Sequence, residues 1–164
     1  MNITLQKCRL EKIAKSDVNI LFEWQSERGS RQFFRDASIP SFHNHEKWFD
    51  RRIRQKPLYF WKIKCSKSQN CFEFVGFIRL DKLISANSFE ISVFVANKFK
   101  KKGIATKFLA LTCKNFSHLN LFAFIANENI ASRKLFEKVG FHRQHDSECD
   151  TQSGWSWYIY MSET

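Results

Sequence analysis

Two periodicities divide the chain. Ile3 and Leu5 alternate with Thr4 and Gln6, so residues 3–10 predict a strand. A helix follows from Asp17 to about Gln25, with Asp17 as the residue type that caps one. Residues 41–56 read SFHNHEKWFDRRIRQK; they set Phe42, His45, Phe49 and Ile53 near one helical face behind Ser41 as cap, and Pro57 as stop. The aromatic-rich runs LYFWKIKC (58–65) and CFEFVGFIRL (71–80), separated by polar SKSQN, predict an antiparallel hairpin, and SFEISVFVA (88–96) a third strand of it. Ile104, Phe108 and Leu111 recur at helical spacing within 103–116, while LNLFAFIA (119–126) is so continuously apolar that it predicts a strand buried on both faces. A last helix spans 129–139 with Gly140 as its stop, and the chain closes with FHRQHDSEC and the strand WSWYIYM. The class is α+β with a mixed sheet.

Composition narrows this to one packed domain spanning 1–164. A chain of 164 residues, 43% hydrophobic and 26% charged, can bury one core and is short for two. Two Pro, five Gly and 18 Phe exclude collagenous and low-complexity classes. The opening residues mix charges into short apolar runs and no segment reaches the length of a membrane span, so a soluble, cytoplasmic protein is expected. The five cysteines (8, 65, 71, 113 and 149) form no CxxC or CxxH pair, and His43-x-His45 has no second ligand pair. No metal site is therefore expected, and free thiols are, with a Cys65–Cys71 bridge across the hairpin as the alternative.

The net charge of +11 points to anionic partners, and one segment concentrates it. Between the strand at 88–96 and the helix at 103–116 lies NKFKKKGIATK, where Gly103 and Ala105 allow close backbone approach. The amides of that helix's first turn, its positive end and Lys98, Lys100, Lys101, Lys102 and Lys107 together make a diphosphate cradle; the plain alternative is a solvated lysine run.

Lys100-x-x-Gly103-x-Ala105 resembles the R/Q-x-x-G-x-G/A pyrophosphate loop of the GCN5-related N-acetyltransferases. Asn129-Ile-Ala-Ser-Arg-Lys-Leu-Phe-Glu-Lys-Val-Gly140-Phe141 resembles the family's second signature, N-x-x-A-x-x-L-Y-x-K-x-G-F, at its later position. The element order agrees, so the resemblance extends over essentially the whole chain. It implies about seven strands flanked by about four helices, and acetyl-CoA as cofactor. The cofactor contacts it implies are the main chain of Val93 and Val95, the loop of Lys100, Lys101, Lys102, Gly103, Ile104, Ala105 and Thr106, and Asn129 with Ser132, Asn129 being equally suited to cap its helix. A backbone N–H near Val95 would face the developing oxyanion, an effect of ~3 kcal/mol per donor.

Trp24, Arg31, Ser41, His45, Trp48 and Phe49 are spaced like the W...R...S...H..WF pattern of one branch, whose members acetylate nucleotide-linked amino sugars of nonulosonate biosynthesis. The likeness implies a small-molecule amine acceptor and substrate-binding roles for Trp24, Arg31 and His45; as a plain alternative, the aromatic members are ordinary core residues. Glu90, opposite in alternation to Phe89 and Ile91, is the candidate base, with His45 as its competitor. Phe136 stands where the family commonly has a tyrosine acid. Other readings are a protein or amino-acid acetyltransferase, an inert acyl-CoA sensor, and a nucleic-acid-binding module using the lysine loop with Arg51, Arg52, Arg54 and Lys56, although no nucleic-acid motif is visible. The aromatic strand WSWYIYM suits either a homodimer face or a core.

Overall fold

The period-two segments pair into one sheet in the computed structural model, which describes residues 7–68, 71–144 and 154–161. Among these, the order along the chain is β1 (Cys8–Lys12), α1 (Val18–Ser26), α2 (Phe42–Ile53), β2 (Phe60–Ser68), β3 (Cys71–Lys82), β4 (Ser88–Val95), α3 (Ile104–Asn115), β5 (Asn120–Ala126), α4 (Ile130–Lys138), β6 (Phe141–Arg143) and β7 (Trp155–Tyr160). Seven strands stand in the order β1-β2-β3-β4-β5-β7-β6. Every pairing is antiparallel except β4 with β5, joined by the crossover through α3. The expected fold class holds, including the number of strands and helices.

Alternation sorts the side chains onto two faces. Leu80, Phe89, Ile91, Leu121 and Ala123 are buried against Leu109 and Cys113 of α3 and Phe136 of α4. The opposite face of β2 and β3 presents Phe60 and Phe77 to Leu21 of α1 and Phe49 of α2. Helix α2 starts where Ser41 Oγ accepts the Asn44 N–H at 3.2 Å, a cap worth ~1 kcal/mol, and it ends at Ile53, ahead of Pro57.

Four local expectations change. Strand β1 runs over 8–12; the expected start at residues 3–6 lies outside the described residues, as do residues 69–70 of the hairpin turn, Cys149 and the rest of the segment 145–153. Asp17 holds the N-cap position of α1, but its carboxylate accepts the Ala14 N–H at 2.8 Å and the Lys62 ammonium at 2.9 Å, not an α1 amide. Strand β5 is not buried on both faces. Leu121, Ala123 and Ile125 are buried while Phe122 and Phe124 are half-buried.

The expectation of free thiols also fails for one pair: Cys8 and Cys65 form a disulfide. They are direct cross-strand partners in the β1–β2 ladder, an adjacency created by pairing across 57 residues and invisible to local spacing. The alternative bridge fails with it, since Cys71 is a free, exposed thiol and Cys113 a buried one. Burial raises the Cys113 thiol to about 12, which keeps it protonated and inert.

Closing a loop this long should stabilise the chain by ~2–4 kcal/mol. The double variant Cys8→Ala/Cys65→Ala is expected to unfold at a correspondingly lower urea concentration, and a reductant should shift the parent protein toward the variant while leaving the variant unchanged.

Candidate active site

The parallel pairing of β4 with β5 is short. It comprises Ser88 with Asn120, Phe89 with Leu121 and Glu90 with Phe122, beyond which the strands part. The outer side of β4 stays paired with β3 as far as Val95. Ala96 N–H donates to Val75 O and Leu83 N–H to Ser88 O, so by the alternation of an antiparallel ladder the even-numbered residues of β4 bond to β3. The amides and carbonyls of Val93 and Val95 consequently face the gap. Gly76 permits this geometry, because a Cβ there would lie 2.2 Å from the Phe94 carbonyl oxygen.

Strand β4 leads into the lysine loop at the wide end of the gap. Lys101 (φ 61°) and Gly103 (φ 74°) both take the left-handed conformation, which turns the chain sharply and is strained for lysine. Gly103 is the N-cap of α3 and supplies no side-chain cap, and the first bond of the helix runs from Lys107 N–H to Gly103 O at 3.0 Å. The amides of 104, 105 and 106 therefore have no acceptor within the helix. Of the expected cofactor residues, Val93, Val95, Lys100, Lys101, Ala105, Asn129 and Ser132 line one cavity of about 850 Å³. Lys102, Gly103, Ile104 and Thr106 do not. The Ile104 side chain is packed in the core beside Phe99 and Phe108, leaving only its backbone on this side. Lys98 is drawn away by Glu73, 2.8 Å from its ammonium. Asn129 does cap α4, its Oδ1 accepting the Ser132 N–H at 3.1 Å.

The other end of the same cavity is bounded by α1, α2 and the irregular segment between them. Glu90 lines it, on the face opposite Phe89 and Ile91, with its side chain 15% exposed. Its Oε2 lies 2.8 Å from Arg35 Nη2. His45 also lines the cavity, 2% exposed, among the rings of Phe22, Trp48 and Phe49. Burial pushes its imidazole below the usual range, a Val18 backbone hydrogen bond opposes that, and the Arg31 charge adds to it. Arg31 donates to Asp36 O at 2.7 Å and to Gln25 Oε1 at 3.4 Å. Trp24 does not reach the cavity. It is buried between Phe74 and Phe94, so its expected acceptor contact is replaced by a packing role.

Three polar side-chain atoms that line this end are buried without a hydrogen-bond partner: His45 Nε2, Arg31 Nε and Arg79 Nε. Arg79 Nε is 3.0 Å from Asp81 but is not aligned to donate to it. Burial lowers the pKa of both arginines, opposed by the charge of Asp36 at Arg31 and of Asp81 at Arg79. Arg35, Arg79, Phe124 and Gly76 carry this geometry and were not singled out from the sequence. A glycine and an arginine inside the aromatic run FVGFIRL were the available signals, for close backbone approach and for a cation facing a site.

Residues 7–142 match the Acetyltransferase (GNAT) domain family. No curated protein matches the sequence. Among solved structures, the chain is similar to a domain from Methanocaldococcus jannaschii (21% identity over 96% of this chain and 98% of that one, TM-score 0.78). It is also similar to a ribosomal L7/L12 alpha-N-protein acetyltransferase in complex with coenzyme A (15% identity, 98% of each chain, TM-score 0.78). A third is the spermidine N-acetyltransferase of Vibrio cholerae in complex with coenzyme A and spermine (15% identity, 94% of each chain, TM-score 0.75). At these identities the likeness is one of fold.

Two measurements test the site. Unfolded, a histidine takes up its proton near about pH 6.5, whereas folded His45 resists it to a lower pH. The unfolded state then binds more protons, so stability should fall as pH drops from about 6.5 to the lower folded value and level off below it. His45→Gln should flatten that slope, and the His45 imidazole should titrate below about 6.5 by NMR. Gly76→Ala should destabilise the fold by roughly 1–3 kcal/mol in urea unfolding, with weakened acetyl-CoA binding as Phe94 and Val95 are pushed into the gap.

Proposed function

The chain belongs to the GNAT acetyltransferase family, and from that premise we propose that it acetylates the amine of a small anionic acceptor, a nucleotide-linked amino sugar. Acetyl-CoA-dependent N-acetyl transfer is the activity of the family type; the acceptor and the residue roles are this reading's own. The observation that carries it is the pair of half-buried arginines, Arg31 and Arg79, each with a buried Nε that makes no hydrogen bond, at the end of the cavity that also holds Glu90.

The residues present fit acetyl-CoA. The amides of 104–106 with Lys100 and Lys101 would take the diphosphate, and the free main-chain groups of Val93 and Val95 would take the pantetheine arm. When bound, the coenzyme supplies an activated acetyl thioester. Glu90 stands on β4 next to these groups and accepts the proton of the attacking amine, directly or through water. The Val95 N–H faces the gap as a donor for the oxygen that gains charge. Phe136 lines the cavity and carries no phenol, so a departing thiolate, of ordinary pKa ~8.5, takes its proton from water or another side chain.

Charge selects among acceptors. Arg35 is offset by Glu90 and Arg79 by Asp81, whereas Arg31 donates to the neutral oxygens Asp36 O and Gln25 Oε1, which leaves its charge for an acceptor carrying phosphate. The spermidine enzyme of Vibrio cholerae, crystallised with spermine, shares the fold. His45 and Trp48, side by side on α2, offer a hydrogen-bonding edge and a ring face to a sugar or base. Nucleic acid is a weaker candidate, because Arg52 of the expected basic patch is 2.9 Å from Asp81 and Lys98 is paired with Glu73.

Calorimetry should show acetyl-CoA binding, with ~2.7 kcal/mol of added stability at 100-fold saturation; the absence of both would end the enzyme reading. In a panel of UDP-linked 4-amino sugars, amino acids, polyamines and peptides, turnover is expected with the first, and turnover confined to peptides would overturn the acceptor assignment. Glu90→Gln should lower kcat by ~10²–10⁴-fold with acetyl-CoA affinity unchanged. Arg31→Ala should raise the acceptor KM by about tenfold or more.

A further inference from the structure

Arg35 is the member of the arginine group that engages Glu90. It lies in the segment between α1 and α2, which has no regular structure, and it reaches 55 residues along the chain to Glu90. Ser30 and Arg31 instead bond close by, to Gln25 O and Asp36 O. The Arg35 guanidinium also lies over the ring of Phe124 at 4.5 Å and near that of Trp157 at 6.0 Å. Glu90 and Phe122 are the last pair before β4 and β5 part, and Phe124 is two residues further on. One guanidinium thus bridges both strands at the narrow end of the gap, with a carboxylate on one side and two aromatic faces on the other.

These three groups form a cation site of general type, a carboxylate plus π-faces, which suits a substituted ammonium as well as a guanidinium. The occupant is held from an exposed loop, its side chain 55% exposed, so it can leave without unpacking the core.

We propose that Arg35 is an internal competitor for the acceptor: its guanidinium fills the place of the acceptor's ammonium between Glu90, Phe124 and Trp157, and the acceptor must displace it. This rests on the reading of Glu90 as the residue that meets the amine. Displacement has a specificity consequence. A simple amine exchanges one cation for another and gains little. An acceptor whose anionic remainder binds at Arg31 and Arg79 brings the additional interaction that drives the exchange. Arg35 therefore lowers the apparent affinity of every amine by the same factor, so that only an acceptor with the additional anionic interaction still binds well, without Arg35 touching it in the reacting complex.

Arg35→Ala separates this from a gripping role. Saturation-transfer NMR with ethylguanidinium as probe should detect binding to Arg35→Ala, none to the parent protein, and none to Arg35→Ala/Glu90→Gln. In kinetics the variant's acceptor KM should fall on the order of tenfold, and kcat/KM for plain alkylamines should rise by a similar factor. A raised acceptor KM, or failure of Arg35→Ala to bind ethylguanidinium while acetyl-CoA binds as in the parent, overturns the proposal. The probe requires neither turnover nor a known acceptor, so failure of the enzyme reading would appear separately, as loss of acetyl-CoA binding in the parent itself.

Discussion

An unpaired stretch of backbone is the constraint on which the rest of this molecule turns. A strand edge inside a folded protein must find partners for its N–H and C=O groups, or face water or a ligand. β4 satisfies one edge along β3 and abandons β5 after Glu90. β5 cannot follow, because its other edge is committed to β7 as far as Ala126. The wedge that results exposes two residues' worth of amides and carbonyls, admits the N-terminus of α3 at its wide end, and leaves the Phe124 ring to the Arg35 guanidinium at its narrow end.

Charge is arranged around that wedge with some economy. The chain carries a large positive excess, yet several cations are held by carboxylates: Lys62 by Asp17, Arg52 by Asp81, Lys98 by Glu73 and Arg35 by Glu90. Lys100 and Lys101 border the cavity at the end of the lysine loop, and Arg31 and Arg79, the latter 3.0 Å from Asp81, at the far end. A molecule anionic at both ends of a reactive centre meets positive potential wherever it enters, which favours capture as well as orientation.

What the sequence revealed followed from local pattern. Alternation in 88–96 correctly put Glu90 opposite Phe89 and Ile91, helical spacing put His45, Phe49 and Ile53 on one inward face while its fourth member, Phe42, is exposed, and the lysine loop with Gly103 marked a helix start. What it concealed was produced by pairing at a distance. The Cys8–Cys65 bridge needs the β1–β2 register, the crowding at Gly76 needs β4 beside β3, and the contact of Arg35 with Glu90 needs an irregular segment to fold back over the sheet. Trp24 shows the converse error, since a residue that matches a functional pattern was recruited to packing. β6 is only three residues long, too short for any period to register.

Gly76 also bears on the heredity of the protein. Every single-nucleotide change in a glycine codon that alters the encoded amino acid introduces a side chain, and here its first carbon would intrude on the backbone of the neighbouring strand. Apart from its synonyms the codon has no neighbours that preserve the wedge, so descendants of this gene can drift at many surface positions while this one stays closed to a new side chain.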